Sequence, residues 1–321
     1  MVQSALEVVR SRRASEMFRA ASRADEATAY PYRPLPPDAP EWATVHGLYF
    51  KDQVVEAQEM LDAVGIGGRG EYAPLRRLII AEAETAKRSK LVELEGNLVF
   101  EFIEEELPLP SSDLAKVVQH EFESICHLLG YDRSSPTLVT ILHRGVDVGF
   151  NLGYETPKQG YDKVCLNAET LRDGSFVGVL RHELAHVAAY QLSESLVPTW
   201  VNEGIAIYLG GQLKPYHADW VTPRELEAEF RRTASPLRAE LNAREDAYQQ
   251  AGWLIWFLAS EFGDSKLGPL LKACTEESLM GFFRRALALG SRMEEPIRKT
   301  FNISERELFE SAKKAVFSLN G

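Results

Sequence analysis

The sequence has few cysteines, no excess of positive charge and no long apolar run, and each shortage excludes a class of protein. Its three cysteines, Cys126, Cys165 and Cys274, lie far apart and form no CxxC spacing. Neither a disulfide framework nor a thiolate zinc site is therefore predicted. The net charge of -11 disfavours binding to a phosphate backbone, so we expect no nucleic-acid partner. No apolar segment approaches the roughly 20 residues that cross a bilayer, so we expect no membrane association.

The first 20 residues combine several arginines with Glu7 and Glu16, a mixture that differs from a secretory signal peptide. Together with the scarce cysteines, this predicts a cytoplasmic protein. Apolar residues make up 45% of the 321-residue chain, which is enough for a large core without disulfides. Nothing in these features predicts an oligomeric state.

Residues 1–94, here called the N-terminal segment, have the pattern of helices joined by loops. Residues 1–29 and residues 41–94 are predicted to be helical. Between them, residues 30–40 have the sequence YPYRPLPPDAP, and five prolines in eleven residues predict an extended linker. The glycine cluster GIGGRG at residues 65–70 lacks the features of a phosphate-binding loop. We therefore interpret it as a loop between helices.

From residue 95 onward, the pattern changes to strands followed by helices. The elements predicted from periodicity are strands at residues 97–103, 136–142 and 163–167 and a helix at residues 111–129. The first strand alternates apolar and polar residues, so we expect it to be half-buried. Helices dominate from residue 175 to the end. This order predicts an α+β domain over residues 95–321 and not a parallel doubly wound sheet.

One predicted helix contains the sequence His182-Glu183-Leu184-Ala185-His186. Side chains four positions apart on a helix lie about 6 Å from each other, so the two histidines can hold one metal ion. The glutamate beside them can act as a general base toward a water on that ion. On a helical projection the apolar residues form one arc, which contains Val177, Leu180, Leu184, Val187 and Ala188. The histidines lie roughly opposite that arc, so we expect them to point away from it toward a cleft or another lobe.

A catalytic zinc ion needs a third protein ligand and an open position for water. Glu203 follows the second histidine by seventeen residues, within the stretch PTWVNEGIAIY. Pro198 suits the first position of a helix, and the small residues Gly204 and Ala206 would let that helix pack against the HExxH helix. A turn between the two helices would then bring the Glu203 carboxylate to the histidines.

The HELAH motif, the short spacer and PTWVNEGIAIY together resemble the gluzincin metallopeptidases. They are similar to the peptidase MA-like proteins and, more distantly, to the aminopeptidase N-like family, in which a WxNEGxA stretch supplies the third zinc ligand. The resemblance covers about residues 95–321, and the N-terminal segment has no counterpart in it. It implies a zincin (thermolysin-like) fold: a sheet-bearing upper lobe at residues 95–192, a helical lower lobe at residues 193–321, and a cleft between them.

The resemblance also implies the chemistry of the site. It implies that one zinc ion per chain is held by His182, His186 and Glu203. It also implies that Glu183 is the general base in the hydrolysis of a peptide or protein substrate. In related gluzincins a tyrosine on a later helix donates a hydrogen bond to the oxyanion. Residues 246–258 resemble that helix, which makes Tyr248 the candidate.

Several alternatives stay open at this point. Tyr190 and Tyr208 compete with Tyr248, which equally suits core packing. Residues 163–167 form either the sheet-edge strand along which a peptide lies or a plain structural strand. The N-terminal segment is predicted to be a helical support. The alternative is that it covers the cleft.

Two departures from the resembled families affect the predicted function. No GAMEN-like stretch is present to bind a substrate's free amino group, which favours an endopeptidase over an aminopeptidase. Ile207 stands where thermolysin-like proteins have an acid that supports a histidine, so no residue is identified that orients the two histidines. The alternative function is a zinc-binding regulatory or interaction module with little or no catalysis, and a third is hydrolysis of a non-peptide amide. The presence of Glu183 favours an enzyme over a zinc-binding module, because a structural zinc ion needs no general base.

Overall fold

The computed structural model describes residues 40–64, 73–133, 135–144, 153–216, 220–233, 245–275 and 293–319. The helix predicted for residues 1–29, the linker up to residue 39 and the loop at residues 65–70 lie outside these ranges. The chain divides into two compact units. Of the described residues, the first unit contains those up to 121 and those from 133 to 183, and the second contains 122–132, 184–233, 245–275 and 293–319.

The described part of the first unit begins with three helices, α1 (Pro40–Phe50), α2 (Val54–Val64) and α3 (Ala73–Ala86). They share a small hydrophobic core that contains Val45, Leu61 and Ile79. Helices were predicted here, but residues 90–93 form a strand, so the helical prediction was wrong for them. This strand, β1 (Lys90–Glu93), pairs antiparallel with the strand that follows it, a tertiary contact that outweighs local helix propensity.

A five-stranded mixed sheet lies in the first unit. After β1, its strands are β2 (Leu98–Phe102), β3 (Thr137–Ile141), β4 (Gly153–Lys158) and β5 (Tyr161–Leu166). The order across the sheet is β1-β2-β3-β5-β4. Strands β2, β3 and β5 are parallel, whereas β1 and β4 are antiparallel to their neighbours. The mixture of this sheet with many helices is compatible with the predicted α+β class.

The structure corrects the prediction that residues 97–103 form a half-buried strand. In β2, every residue except Val99 is buried, because the polar residue of the alternating pattern also lies inside. Glu101 accepts hydrogen bonds from Ser89 Oγ at 2.7 Å and from Thr140 Oγ1 at 2.7 Å. These bonds offset the cost of burying a carboxylate, which an alternating sequence pattern cannot show.

Residues 163–167 do not lie at the sheet edge, because β5 is placed between β3 and β4. Of these two alternatives, the structural strand is therefore the one observed. Among the described strands, β4 lies at this edge, and no sequence pattern indicated it. Its sequence, GYETPK, contains Pro157 and few apolar residues. Proline is tolerated on an edge strand, where a missing backbone donor costs little.

The remaining helices include the predicted one at residues 111–129, which is confirmed with those bounds. They are α4 (Ser111–Leu129), α5 (Thr170–Asp173), α6 (Phe176–Leu192), α7 (Thr199–Leu209), α8 (Pro223–Thr233), α9 (Glu245–Phe262), α10 (Leu267–Ala273), α11 (Glu294–Phe301) and α12 (Glu305–Leu319). In the second unit, α9 packs against α7 and α12. Within the described residues, none of the helices combines the length and the apolar character that crossing a bilayer requires.

Candidate metal centre

Helix α6 carries His182, Glu183 and His186, and it is buried on most sides. The apolar residues that are buried after Glu183 are Leu184, Ala185, Val187, Ala188 and Ala189. Val177, which the helical projection placed on the apolar arc, is exposed, and both Glu183 and His186 are buried. The predicted arc is therefore correct for its other four residues, which are buried, but burial on this helix extends beyond the arc. His182, in contrast to His186, is partly exposed.

Helix α7 carries Glu203 and begins at Thr199. Pro198 is the capping residue before the helix, with an extended backbone (φ -62°, ψ 144°), and is not its first helical residue. Gly204 packs against α9: an added Cβ there would lie 2.6 Å from the backbone oxygen of Ala251. The sequence predicted that Gly204 would let α7 pack closely against the HExxH helix. In the structure the helix that lies beside Gly204 is α9 instead.

The three predicted ligands come together. His182, His186 and Glu203 each offer one ligand atom, and these atoms lie within 4.8 Å of one another. His186 Nε2 is 3.7 Å from Glu203 Oε2. Ligand atoms that are held 2.0–2.2 Å from a tetrahedral zinc ion lie roughly 3.4 Å apart, so small side-chain rotations bring the set onto one ion. Two imidazoles and one carboxylate also have the donor chemistry that zinc prefers.

Glu203 lies in an environment that favours a bound cation. Burial raises the pKa of this carboxyl, and the neighbouring His186 partly opposes the effect. A desolvated carboxylate is stabilised by a nearby positive charge, which a divalent metal ion supplies more strongly than an imidazole does.

Tyr248 of α9 lies close enough to Glu203 to feel its charge. Burial first, and then repulsion by the Glu203 carboxylate, raises the pKa of the Tyr248 phenol. The phenol therefore keeps its proton at neutral pH and stays a hydrogen-bond donor. Its ring packs edge-to-face against Phe230, with the ring centroids 5.0 Å apart, so the side chain is both packed and near a proposed metal ligand.

The two competing tyrosines have other contacts. The ring of Tyr190 stacks on His186 with the centroids 6.3 Å apart. The hydroxyl of Tyr208 donates a hydrogen bond to Asp264 Oδ1 at 2.8 Å. Burial and this bond to Asp264 raise the pKa of Tyr208 to about 12. The Tyr208 proton is thus directed at Asp264, which weakens its candidacy as an oxyanion donor.

No sequence pattern indicated a second carboxyl group near Glu183. Glu155 lies on β4 opposite Val164 of β5, and Asp162 lies on the same face of the hairpin. Burial, followed by repulsion from Asp162 and Glu183, raises the pKa of Glu155 well above its usual value. The approach of Glu155 to Glu183 depends on the pairing of β4 with β5, so local sequence could not show it.

Part of the chain matches a known protein family. Residues 163–281 match the model of a family described as the Peptidase MA superfamily, and this stretch contains all three proposed metal ligands. No curated protein matches the chain. The match supports a relationship of this part of the chain to the peptidase MA (gluzincin-like) proteins, and it does not extend to the N-terminal segment.

Proposed function

We propose that this protein is a zinc-dependent peptidase in which His182, His186 and Glu203 hold the metal ion and Glu183 is the general base. The observation that carries the proposal is the convergence of these three ligand atoms to within 4.8 Å. The peptidase family match over the same stretch supports it. A His/His/Glu set leaves one position of a tetrahedral zinc ion open, as catalysis requires.

Each step of peptide hydrolysis has a residue suited to it. Zinc at this site would supply Lewis acidity, which polarises a carbonyl group and lowers the pKa of a water molecule. Glu183 takes the proton of the attacking water and delivers it to the leaving nitrogen. Tyr248, whose phenol stays protonated, donates a hydrogen bond to the oxyanion that develops on the carbonyl.

The proposal includes the zincin arrangement of residues 95–321, with an upper lobe at 95–192 and a lower lobe at 193–321. It also places a peptide substrate along β4, whose backbone pairs with β5 on one side and, among the described strands, with none on the other. Main-chain pairing with an edge strand holds an extended peptide on both sides of the bond to be cut. This mode of binding favours an endopeptidase. The cytoplasmic location and the absence of a nucleic-acid partner stay predictions.

Metal content and hydrolysis, measured on the same samples, test the proposal. Purified wild-type protein should contain about one zinc ion per chain and should cleave members of a peptide library. Glu183→Gln should keep its zinc and lose at least ~100-fold in rate, the scale expected for a positioned acid–base group. His182→Ala should lose the zinc, because two ligands hold it weakly.

A histidine outside the site provides the matched control. His120 is exposed on α4, so His120→Ala should retain both zinc and hydrolysis. Full zinc in His182→Ala would refute the ligand assignment. Zinc binding without cleavage of any library peptide would instead support the zinc-binding interaction module, and cleavage by Glu183→Gln at the wild-type rate would assign the base to another residue.

A further inference from the structure

Five charged side chains are buried together in the first unit. This group, here called the ion network, consists of Asp52, Glu82, Glu101, Lys158 and Lys163. The ammonium group of Lys163 lies 3.0 Å from Asp52 Oδ1 and 3.0 Å from Glu82 Oε2. The ammonium group of Lys158, whose side chain is 0% exposed, lies 3.1 Å from Glu82 Oε2. Charges this deeply buried are tolerated only when they are paired and hydrogen-bonded.

Hydrogen bonds that involve two tyrosines complete the ion network. The hydroxyl of Tyr49 donates to Glu82 Oε1 at 2.5 Å, and the hydroxyl of Tyr161 donates to Asp52. Lys158 Nζ lies 3.3 Å from the centroid of the Tyr49 ring and donates to the Tyr49 backbone oxygen at 3.3 Å. These directional bonds define the position of each charged group far more narrowly than apolar packing would.

The ion network joins the N-terminal helices to the β4–β5 hairpin. Two of its acids lie on the helical side, with Asp52 just after α1 and Glu82 on α3. The third, Glu101, lies on β2, whereas Lys158 ends β4 and Lys163 lies on β5. At the hairpin turn, the backbone N–H of Gln159 donates to the oxygen of Phe50 at 2.8 Å. The helices therefore hold the hairpin at its turn and along one face.

The opposite face of the same hairpin lies toward the proposed base. Strand residues alternate between faces, so Glu155 lies on the face of β4 opposite to Lys158. The carboxyl of Glu155 is close enough to Glu183 to be repelled by it. The position of β4 is thus defined by the ion network on one face while its other face approaches the catalytic helix α6.

We propose that the ion network is a positioning device for the edge strand, in which helices α1–α3 hold β4 where a peptide substrate pairs with it. Lys158 and Glu82 act as positioning residues, because they touch no reacting atom. Apolar side chains of similar size would fill such a site at equal or lower energetic cost, whereas paired charges determine where the strand lies. The N-terminal helices then contribute to substrate binding through the side chains of the ion network. The catalytic consequence rests on the proposed peptidase function, but the holding of β4 does not.

The test removes one charge of each sign from the ion network. Lys158→Met/Glu82→Gln leaves its net charge unchanged, and the new amide oxygen can still accept the Tyr49 hydroxyl. The matched control is Lys87→Met/Glu84→Gln, which removes an ion pair of 2.8 Å that is exposed at the end of α3. Both variants are compared with wild type by zinc content, by hydrogen exchange of the β4 amides, and by kcat and KM for an extended peptide.

The expected result separates positioning from general stabilisation. In the network variant the β4 amides should exchange about tenfold faster, and KM for the extended peptide should rise about tenfold because the substrate-binding strand is displaced. Zinc content and kcat should stay near wild type. The control variant should match wild type in all four measurements.

Two results would overturn the proposal. One is a folded network variant with wild-type β4 exchange and wild-type KM. The other is loss of the whole fold in this variant, since the ion network would then hold the unit together and not position one strand. If the wild-type chain cleaves no peptide, the proposed function fails on its own, and the exchange comparison still decides whether the ion network holds β4.

Discussion

Replacing Gly204 with alanine tests how the fold positions Glu203, the preceding residue on α7. An added Cβ would lie 2.6 Å from the backbone oxygen of Ala251, about 0.8 Å short of an ordinary contact, and 2.9 Å from Cγ1 of Ile255. A carbonyl within helix α9 cannot rotate aside, so α7 has to move. Overpacking of this kind costs about 1–3 kcal/mol, and the better helix propensity of alanine offsets about 1 kcal/mol of it. We expect the free energy of unfolding to fall by about 0–2 kcal/mol.

The displaced helix should also weaken the metal site, because Glu203 moves with α7. We expect zinc affinity to fall about tenfold or more in Gly204→Ala, the scale on which misplaced metal-site residues act. Urea unfolding of the metal-free protein measures the first effect, and zinc titration against a competing chelator measures the second.

Gly47 of α1 offers a matched control, because an added Cβ there meets no heavy atom within 4 Å. Gly47→Ala should therefore raise the free energy of unfolding by about 0.5–1 kcal/mol and leave zinc affinity unchanged. The two substitutions are chemically identical, so the difference between their effects on stability comes from packing alone. If Gly204→Ala proves as stable as Gly47→Ala and binds zinc like wild type, the close approach of α7 to α9 is refuted.

Tyr248→Phe keeps the ring and removes the donor, so kcat should fall about 10²-fold with unchanged zinc content; an unchanged kcat would assign Tyr248 to core packing. Glu155→Gln should raise the urea midpoint at neutral pH. Burial, then repulsion by nearby carboxylates, raises the pKa of Glu155, so wild-type stability is lost as pH rises above about 4.5; an advantage of the variant that does not grow with pH would contradict this. The pH dependence of stability that Glu82 causes has the opposite sign. Burial opposes its ionisation, but two lysines outweigh burial and lower its pKa to about 2, so its stabilisation is lost as pH falls from about 4.5 toward 2. The urea midpoint of Glu82→Gln should therefore fall less than that of wild type across this range.

The parts of the site that could be predicted depend on local geometry. A spacing of four on a helix places His182 beside His186 whatever the rest of the fold does, because the helical rise is constant. The periodicity of residues 111–129 likewise defined α4. Glu203 was predicted from a second short stretch, and the structure brings it to the two histidines. Whether these residues bind zinc and catalyse hydrolysis stays a prediction.

The unpredicted parts depend on contacts between distant segments. Lys158 bonds to the backbone of Tyr49 across 109 residues of sequence, and neither residue has a local pattern that indicates the other. Strand β4 was missed because proline and polar residues obscured it, and its pairing with β5 is what brings Glu155 near Glu183.

The sequence by itself determined the chemistry of the candidate site: two imidazoles, a neighbouring carboxylate and a third ligand in a separate helix. Only the tertiary structure decided which strand lies at the sheet edge, that Gly204 packs against α9, and that the N-terminal helices hold the β4–β5 hairpin through buried charges. The physical reason is that spacing along one helix is set by covalent geometry. Strand order, close helix approach and ion pairing depend instead on which distant surfaces bury each other.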